Sequence, residues 1–314
     1  MSVTVVGSIA FDAVRTPAGE RERMLGGAGT HFALAASFFD RVHVVGPVGE
    51  DFSDSDMEIL ATRGTITTDV DRVAGGRTFF WKGVYGDDLN DRETLETQLN
   101  VFEHFRPQLS QESRACDVLF LANIQPELQA SVLDQCDTPS FVALDSMNLW
   151  IDIARETLVS VIRRVDCVVL NDAELRQLTG KPTLIAAARE VISWGPSIVV
   201  AKQGEYGSAL ITADDFFSLP AYPLQTVTDP TGAGDTFAGG LVGYLASRPD
   251  QLTDPDRDTL AVAMAYGTAI ASFNVEEFGT ERVARLRAEE IDRRVAVLHR
   301  MTTFAPDVLT LETP

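Results

Sequence analysis

Asp229-Pro230-Thr231-Gly232-Ala233-Gly234-Asp235-Thr236-Phe237-Ala238-Gly239-Gly240 is the stretch that decides the fold. Polar and apolar residues alternate before it, over 216–227, and Phe237, Leu241, Tyr244 and Leu245 recur after it at helical spacing. The expectation is a strand, a tight glycine turn and a helix. Three small residues in a row let the backbone close on a ligand and leave its N–H groups pointing outward. With the positive end of the helix dipole, those donors suit a phosphate-like anion. Asp235 then stands in the first turn of the helix. Two readings of it are open. It is a plain N-cap behind a flexible connection, or a base for a hydroxyl attacking a phosphoryl group held by fixed dipoles. The second accounts for Gly232 and Gly234 together, and for another acid, Asp229, six residues upstream.

Over residues 229–242 the chain resembles, at every constrained position, the C-terminal signature of the PfkB (ribokinase-like) family of sugar and nucleoside kinases. The resemblance implies an α/β fold, a ribokinase-like three-layer α/β/α sandwich with a mostly parallel central sheet and a small β-sheet lid. It also implies that Gly232, Ala233 and Gly234 form an anion hole for the γ-phosphate of ATP, and that Asp235 deprotonates the acceptor hydroxyl. The helix dipole is expected to keep Asp235 ionised, so that catalysis rests on placement more than on a raised pKa.

A chain of 314 residues, 45% of them hydrophobic, can bury a full α/β core. No repeat or low-complexity linker divides it, so one domain over 1–314 is expected, with a lid from about 11–24 and 66–97. No run reaches the ~18 apolar residues of a membrane span, and strand-like sequence begins at Val3 without a charged leader. Cys116, Cys136 and Cys167 lie far apart in the sequence with no CxxC pair. Neither zinc nor a disulfide framework is indicated, and a reduced cytoplasmic setting is expected. Forty-six acidic residues against 26 basic ones give a net charge of −20, which argues against nucleic acid or an anionic membrane as partner. The lysines are Lys82, Lys181 and Lys202; every other basic residue is arginine. High acidity with so little lysine suggests a high-salt cytoplasm that screens carboxylate repulsion, or the arginine bias of a GC-rich genome. An exposed lid sheet would offer an edge for a homodimer.

In chain order, a first strand over residues 3–9 leads to Asp12, at the edge where open sheets bind ligands; a solvated loop carboxylate is the other reading. Gly26-Gly27-Ala28-Gly29-Thr30-His31 opens a helix with Phe32, Leu34, Ala35 and Phe38 as its stripe. In the family a glycine pair here approaches the substrate and an Asn follows. Gly26 and Gly27 match, and His31 stands where the Asn would be, either bonding substrate or packing at the helix start. Thr78, Phe79, Phe80, Trp81, Val84 and Tyr85 fit short strands outside the main sheet, as a lid or as a fixed edge hairpin. Apolar runs at 117–122, 141–144 and 167–170 end at Asn123, Asp145 and Asn171, which would line one rim of one sheet. Asn171-x-x-Glu174 is similar to the family's NxxE motif, which implies a Mg²⁺ and phosphate site; an Asn-capped helix with Glu at N3 explains it as well. Lys202 supplies a cation for phosphates. The resemblance puts the turn with Gly204 and Gly207 near the ATP, and the loop around Gly279 over the adenine. With Asp229 and Thr231, that loop holds a monovalent cation such as K⁺ in some members.

The expected activity is therefore ATP- and Mg²⁺-dependent phosphorylation of a hydroxyl, a primary alcohol of a sugar or related small molecule. Asp12, Gly26, Gly27, His31, Asn123 and Asp145 are the acceptor-side candidates. A nucleoside kinase of the same family is the alternative; a non-catalytic sensor would have no need of Asp235. A dinucleotide oxidoreductase is excluded because Gly7-Ser8-Ile9-Ala10-Phe11-Asp12 lacks GxGxxG. The Walker pattern is absent too.

Overall fold

Short valine- and leucine-rich runs become strands here because both of their faces are buried. Along β1 (Ser2–Val6), Val3 and Val5 enter one apolar core and Val6 the other. A computed structural model describes residues 1–303. After β1 come β2 (Ala10–Thr16), β3 (Gly19–Gly26), α1 (Ala28–Ala36), β4 (Arg41–Gly49), α2 (Asp54–Leu60), β5 (Ile66–Val73), β6 (Phe79–Tyr85) and β7 (Arg92–Gln98). The middle of the chain forms α3 (Gln111–Arg114), β8 (Val118–Leu121), α4 (Pro126–Leu133), β9 (Phe141–Asp145), α5 (Asn148–Ile153), α6 (Arg155–Ile162), β10 (Cys167–Asn171), α7 (Asp172–Thr179) and α8 (Leu184–Ile192). The last part forms β11 (Ile198–Lys202), β12 (Ser208–Ile211), β13 (Phe216–Leu219), α9 (Ala233–Ala246), α10 (Arg257–Asn274), α11 (Glu281–Ala284) and α12 (Ala288–Thr302).

A nine-stranded sheet runs β13-β12-β11-β10-β9-β8-β1-β4-β5, parallel from β11 to β5 and antiparallel at β12 and β13. One core packs α1, α9 and α10 on one face through Phe32, Phe237, Leu241 and Met264. The other packs α4, α6, α7 and α8 through Val132, Leu158, Leu175 and Val191. The result is three layers, with a separate four-stranded sheet, β3-β2-β6-β7, beside them. Among the described residues no helix is long and apolar enough to cross a membrane.

α9 is wedged rather than merely laid on the sheet. A Cβ on Gly239 would collide with the Phe32 carbonyl of α1, and one on Gly240 would stand 2.8 Å from the Gly267 Cα of α10. Any larger side chain at either position would push a neighbouring helix away. The N-terminus of α9 is thus fixed from two sides.

Three expectations change. The strand expected over 216–227 ends at Leu219, because Pro220 and Pro223 have no N–H to give the ladder; the glycine turn is reached through irregular chain. The first strand stops at Val6, and Asp12 belongs to β2 of the small sheet. The stretch 66–97 is divided: β5 pairs parallel to β4 in the large sheet, its Val70 packed on the core, while β6 and β7 belong to the small one. Cys116 and Cys136, distant in sequence, are neighbouring free thiols in the fold.

Candidate active site

Parallel register brings the polar strand ends side by side. Asp145 pairs with Val169, and Asn171 with Lys202, so the ends of β9, β10 and β11 form one rim. There Lys202 Nζ donates to Asp145 Oδ2 at 2.7 Å, with both side chains largely buried. A Cβ on Gly234 would lie 3.1 Å from Lys202 Nζ, so the ammonium rests against the turn that opens α9. Gly232, the N-cap, has φ 73°, a left-handed conformation glycine adopts without strain. Among the described residues the Gly232 and Gly234 amides find no backbone acceptor. The Ala233 amide, expected to face the anion, donates instead to the Pro230 carbonyl at 3.2 Å, closing the turn.

Asp235 lies at this turn with its pKa raised from 3.8 to about 7. Burial is the main cause and the Asp145 charge the next; Lys202, Arg92 and its own amide pull the other way. The expectation that the helix dipole keeps it ionised is thus reversed, because desolvation exceeds what one helix end offers. Burial by itself would lower the Lys202 pKa, but Asp145, Glu174 and Asp235 together raise it.

On the other side of the cleft, the Asp12 carboxylate occupies the space above Gly26, where any Cβ would collide with it, and accepts from the Gly27 amide. Gly27 has φ 93°, and a Cβ there would stand 2.5 Å from the Ser8 carbonyl. The glycine pair is thus demanded by the carboxylate and by the backbone beneath. Burial, then the charges of Asp229 and Asp235, push Asp12 up to about 7, against Gly27 and Arg92.

His31 is packed at the helix start. Its ring fills the place a side chain on Gly232 would take, and its Nδ1 lies 3.1 Å from Asn274 Oδ1. Asn274 Nδ2 donates to the Thr231 carbonyl at 2.8 Å, and Thr236 Oγ1 donates to Asn274 Oδ1 at 3.2 Å. With that amide orientation His31 must carry its proton on Nδ1. Burial lowers its pKa to about 4, so it is neutral, and Nε2 is buried without a partner among the described residues.

Asp229 is fully buried; its oxygens accept from the Thr231 amide and the Gly279 amide, both at 2.9 Å. This brings Asp229, Thr231 and Gly279 together. Asn171 and Glu174 form the reciprocal capping box, Glu174 N–H to Asn171 Oδ1 at 2.7 Å and Asn171 N–H to Glu174 Oε2 at 2.8 Å. Asn171 Nδ2 and Glu174 Oε1 stay outside the box. Burial first, then Asp145, raise the Glu174 pKa against Lys202. Asn123 Oδ1 accepts from the Trp150 indole at 3.1 Å. Gly204 makes room for Asn90 of the β6–β7 connection, and Gly207 for the Leu219 carbonyl of β13. Among the described residues no group of three or more His, Cys, Asp or Glu could hold a metal alone. Yet Glu174 and Asp235 have raised pKa values beside one buried lysine, which is already paired with Asp145. Such a site is short of positive charge and fits a hydrated divalent ion arriving with its ligand.

Three residues were not foreseen. Arg92 of β7 acts through its charge on Asp12, Asp235 and Glu174. Tyr85 of β6 accepts from Thr231 Oγ1 at 3.2 Å, tying the small sheet to the turn. Asn274 links three elements. Arg92 stands in an exposed run, 92–98, that carries no motif; a buried Asn at the end of apolar α10 was the one available signal.

Comparison with known proteins matches residues 2–285 to the model of the pfkB family carbohydrate kinases. Cytidine kinase of Thermococcus kodakarensis is 28% identical over 256 residues, covering 79% of this chain and 90% of that protein. Deoxyribokinase of Salmonella typhi is 25% identical over 274 residues, 82% of this chain and 83% of that protein. Among solved structures, the nucleoside kinase of Methanocaldococcus jannaschii superposes with a TM-score of 0.75 at 18% identity, covering 94% of this chain and 98% of that one.

Proposed function

The chain belongs to the PfkB family of carbohydrate kinases, and from that premise we propose that it transfers the γ-phosphoryl group of ATP to the primary hydroxyl of a pentose, free or within a nucleoside. The observation that carries the reading is the turn at Gly232–Gly234, with two free amides, Lys202 against it and a half-buried carboxylate, Asp235, beside it. Cytidine and deoxyribose, the substrates named for two relatives, share a pentose with a primary alcohol.

Asp235 takes the acceptor proton onto its carboxylate as the acceptor oxygen bonds to the γ-phosphorus and the bridging oxygen leaves with ADP. A carboxyl group of pKa about 7 is well matched to that transfer. The Gly232 and Gly234 amides and Lys202 hold the oxyanions, and Asp145 fixes Lys202. Asn171 and Glu174 are the residues to hold the nucleotide's Mg²⁺, through water; when bound, the ion neutralises phosphate charge. Gly204, Gly207 and Gly279 line the nucleotide side, and Asp229, Thr231 and Gly279 hold a monovalent cation. Asp12 held by Gly26 and Gly27 grips the pentose hydroxyls, with Asn123 beyond, and the small sheet closes over them and is the dimer edge.

ADP release measured across free sugars and nucleosides tests this. Acceptor-dependent release is expected with pentose compounds, lost by about 10³-fold in Asp235→Asn while ATP still binds. Nucleosides outpacing free pentoses would select the nucleoside kinase reading. A panel without any acceptor-dependent release, or an Asn variant of near-normal rate, overturns the assignment.

A further inference from the structure

Away from the rim, a groove of about 660 Å³ lies where the small sheet joins the large one. The chain enters β6 through residues 73–78 and leaves β7 through 99–106, and both crossings line the groove, over Pro47 of β4. The crossings are stitched together: the Val101 amide donates to the Arg77 carbonyl at 3.1 Å, and Asn100 Nδ2 donates to the Thr78 carbonyl at 2.9 Å. Each passes through left-handed backbone, at Gly75 (φ 70°) and at Asn100 (φ 51°). Whatever joins these two crossings sets how freely the small sheet moves.

The chemistry of the groove runs against the chain as a whole. In a protein of net charge −20, it gathers Arg77, His104 and Arg106 against one carboxylate, Asp71. Arg106 donates to the adjoining Phe105 carbonyl at 2.7 Å, and among the described residues neither arginine forms an ion pair. Two unpaired guanidinium forks, one on each crossing, match the oxygens of a phosphate. The volume suits a small ligand.

We propose that this groove is an effector site for a small phosphate-bearing anion, which bridges Arg77 and Arg106 and so couples its own binding to the position of the lid. Its effect on turnover rests on the kinase reading above; its binding does not. By linkage, an anion that changes acceptor affinity is itself bound more or less tightly by the same factor when acceptor is present.

The test titrates inorganic phosphate and AMP, at fixed ionic strength, into the wild type and Arg77→Ala/Arg106→Ala, followed by calorimetry and by amide hydrogen exchange over 79–98. Both side chains are exposed, so the variant should melt as the wild type does; a double lysine variant, which keeps the charge, should bind at intermediate strength. The wild type is expected to show one phosphate-binding event that the alanine variant lacks, slower exchange in β6 and β7, and a shift of about fivefold in acceptor KM. Phosphate held at the Gly232 turn is common to both proteins and cancels in the difference. AMP bound more tightly than phosphate at the lost site identifies a nucleotide as effector, and equal binding identifies free phosphate. Identical titrations for the two proteins, or binding that leaves 79–98 unprotected, overturn the proposal. Should the acceptor panel fail, the calorimetric difference and the exchange still decide the groove.

Discussion

The two sides of the cleft are held in different ways. The turn at the start of α9 is wedged between α1 and α10 and bound by buried hydrogen bonds among Asp229, Thr231, Asn274 and His31. The small sheet facing it has one edge strand, β7, exposed along its whole length. Its ties to the main body include the Tyr85–Thr231 hydrogen bond, the Phe278 contact with Val14 and Met24, and a long Asn90–Glu205 contact at 3.5 Å. The difference teaches where each task resides. Phosphoryl transfer needs placement to a fraction of an ångström, and the proposed function assigns it to the side where packing leaves no alternative. Recognition and closure need motion, and the proposed function assigns them to the sheet with the exposed edge strand.

If that contrast holds, damage to the brace should fall on kcat and damage to the lid on KM. His31→Ala removes the ring under Gly232 and leaves Asn274 Oδ1 with Thr236 alone. kcat is expected to drop about 10²-fold while KM for ATP changes little. Asn274→Ala should lose no more in combination with His31→Ala than alone, since both act through one network. Steady-state kinetics of the three variants read this. A His31→Ala enzyme with normal kcat and a raised acceptor KM would instead make His31 a substrate contact.

Arg92→Ala is the counterpart on the lid, with a smaller effect. The residue is exposed, so stability should move by no more than about 0.5 kcal/mol. Loss of a positive charge near Asp12 should raise acceptor KM about tenfold with kcat within a factor of about two. A fall in kcat as large as that of His31→Ala would mean that the lid belongs to the chemical step, and the contrast would fail.

The same contrast governs what could be read from the chain. The brace was legible because its demands are local: Gly232 needs left-handed backbone, and strand ends in parallel register put Asp145, Asn171 and Lys202 on one rim. What was missed depends on tertiary contact. Nothing local marks Arg92 as facing three carboxylates, or separates β5, which joins the large sheet, from β6, which does not. The ionisation of Asp235 was misjudged for the same reason. A helix terminus is visible in sequence, whereas the burial that outweighs it is a property of the assembled site.

Proton linkage offers the finest test, because a carboxyl with a pKa near 7 lies on each side of the cleft. Asp12 on the lid and Asp235 on the brace both have a pKa near 7, against an ordinary 3.8, in the protein without ligand. The folded state therefore holds these protons more tightly than the unfolded chain. Stability should fall as pH rises from about 4 through about 7, with the whole penalty present above that. Solvent near the partly exposed Asp235 reduces the effect, and a combined loss on the order of 1–3 kcal/mol is expected between pH 5 and 8. Asp235→Asn should flatten the part of the slope that belongs to the brace, whatever the lid does. Asp12→Asn should flatten the rest only if the small sheet stays seated in the empty protein, since a lid that swings out returns Asp12 to water and to an ordinary pKa. Urea unfolding of the two variants across that pH range thus separates a closed resting state from an open one. A slope untouched by Asp12→Asn but flattened by Asp235→Asn would show that only the brace is fixed before ligand arrives.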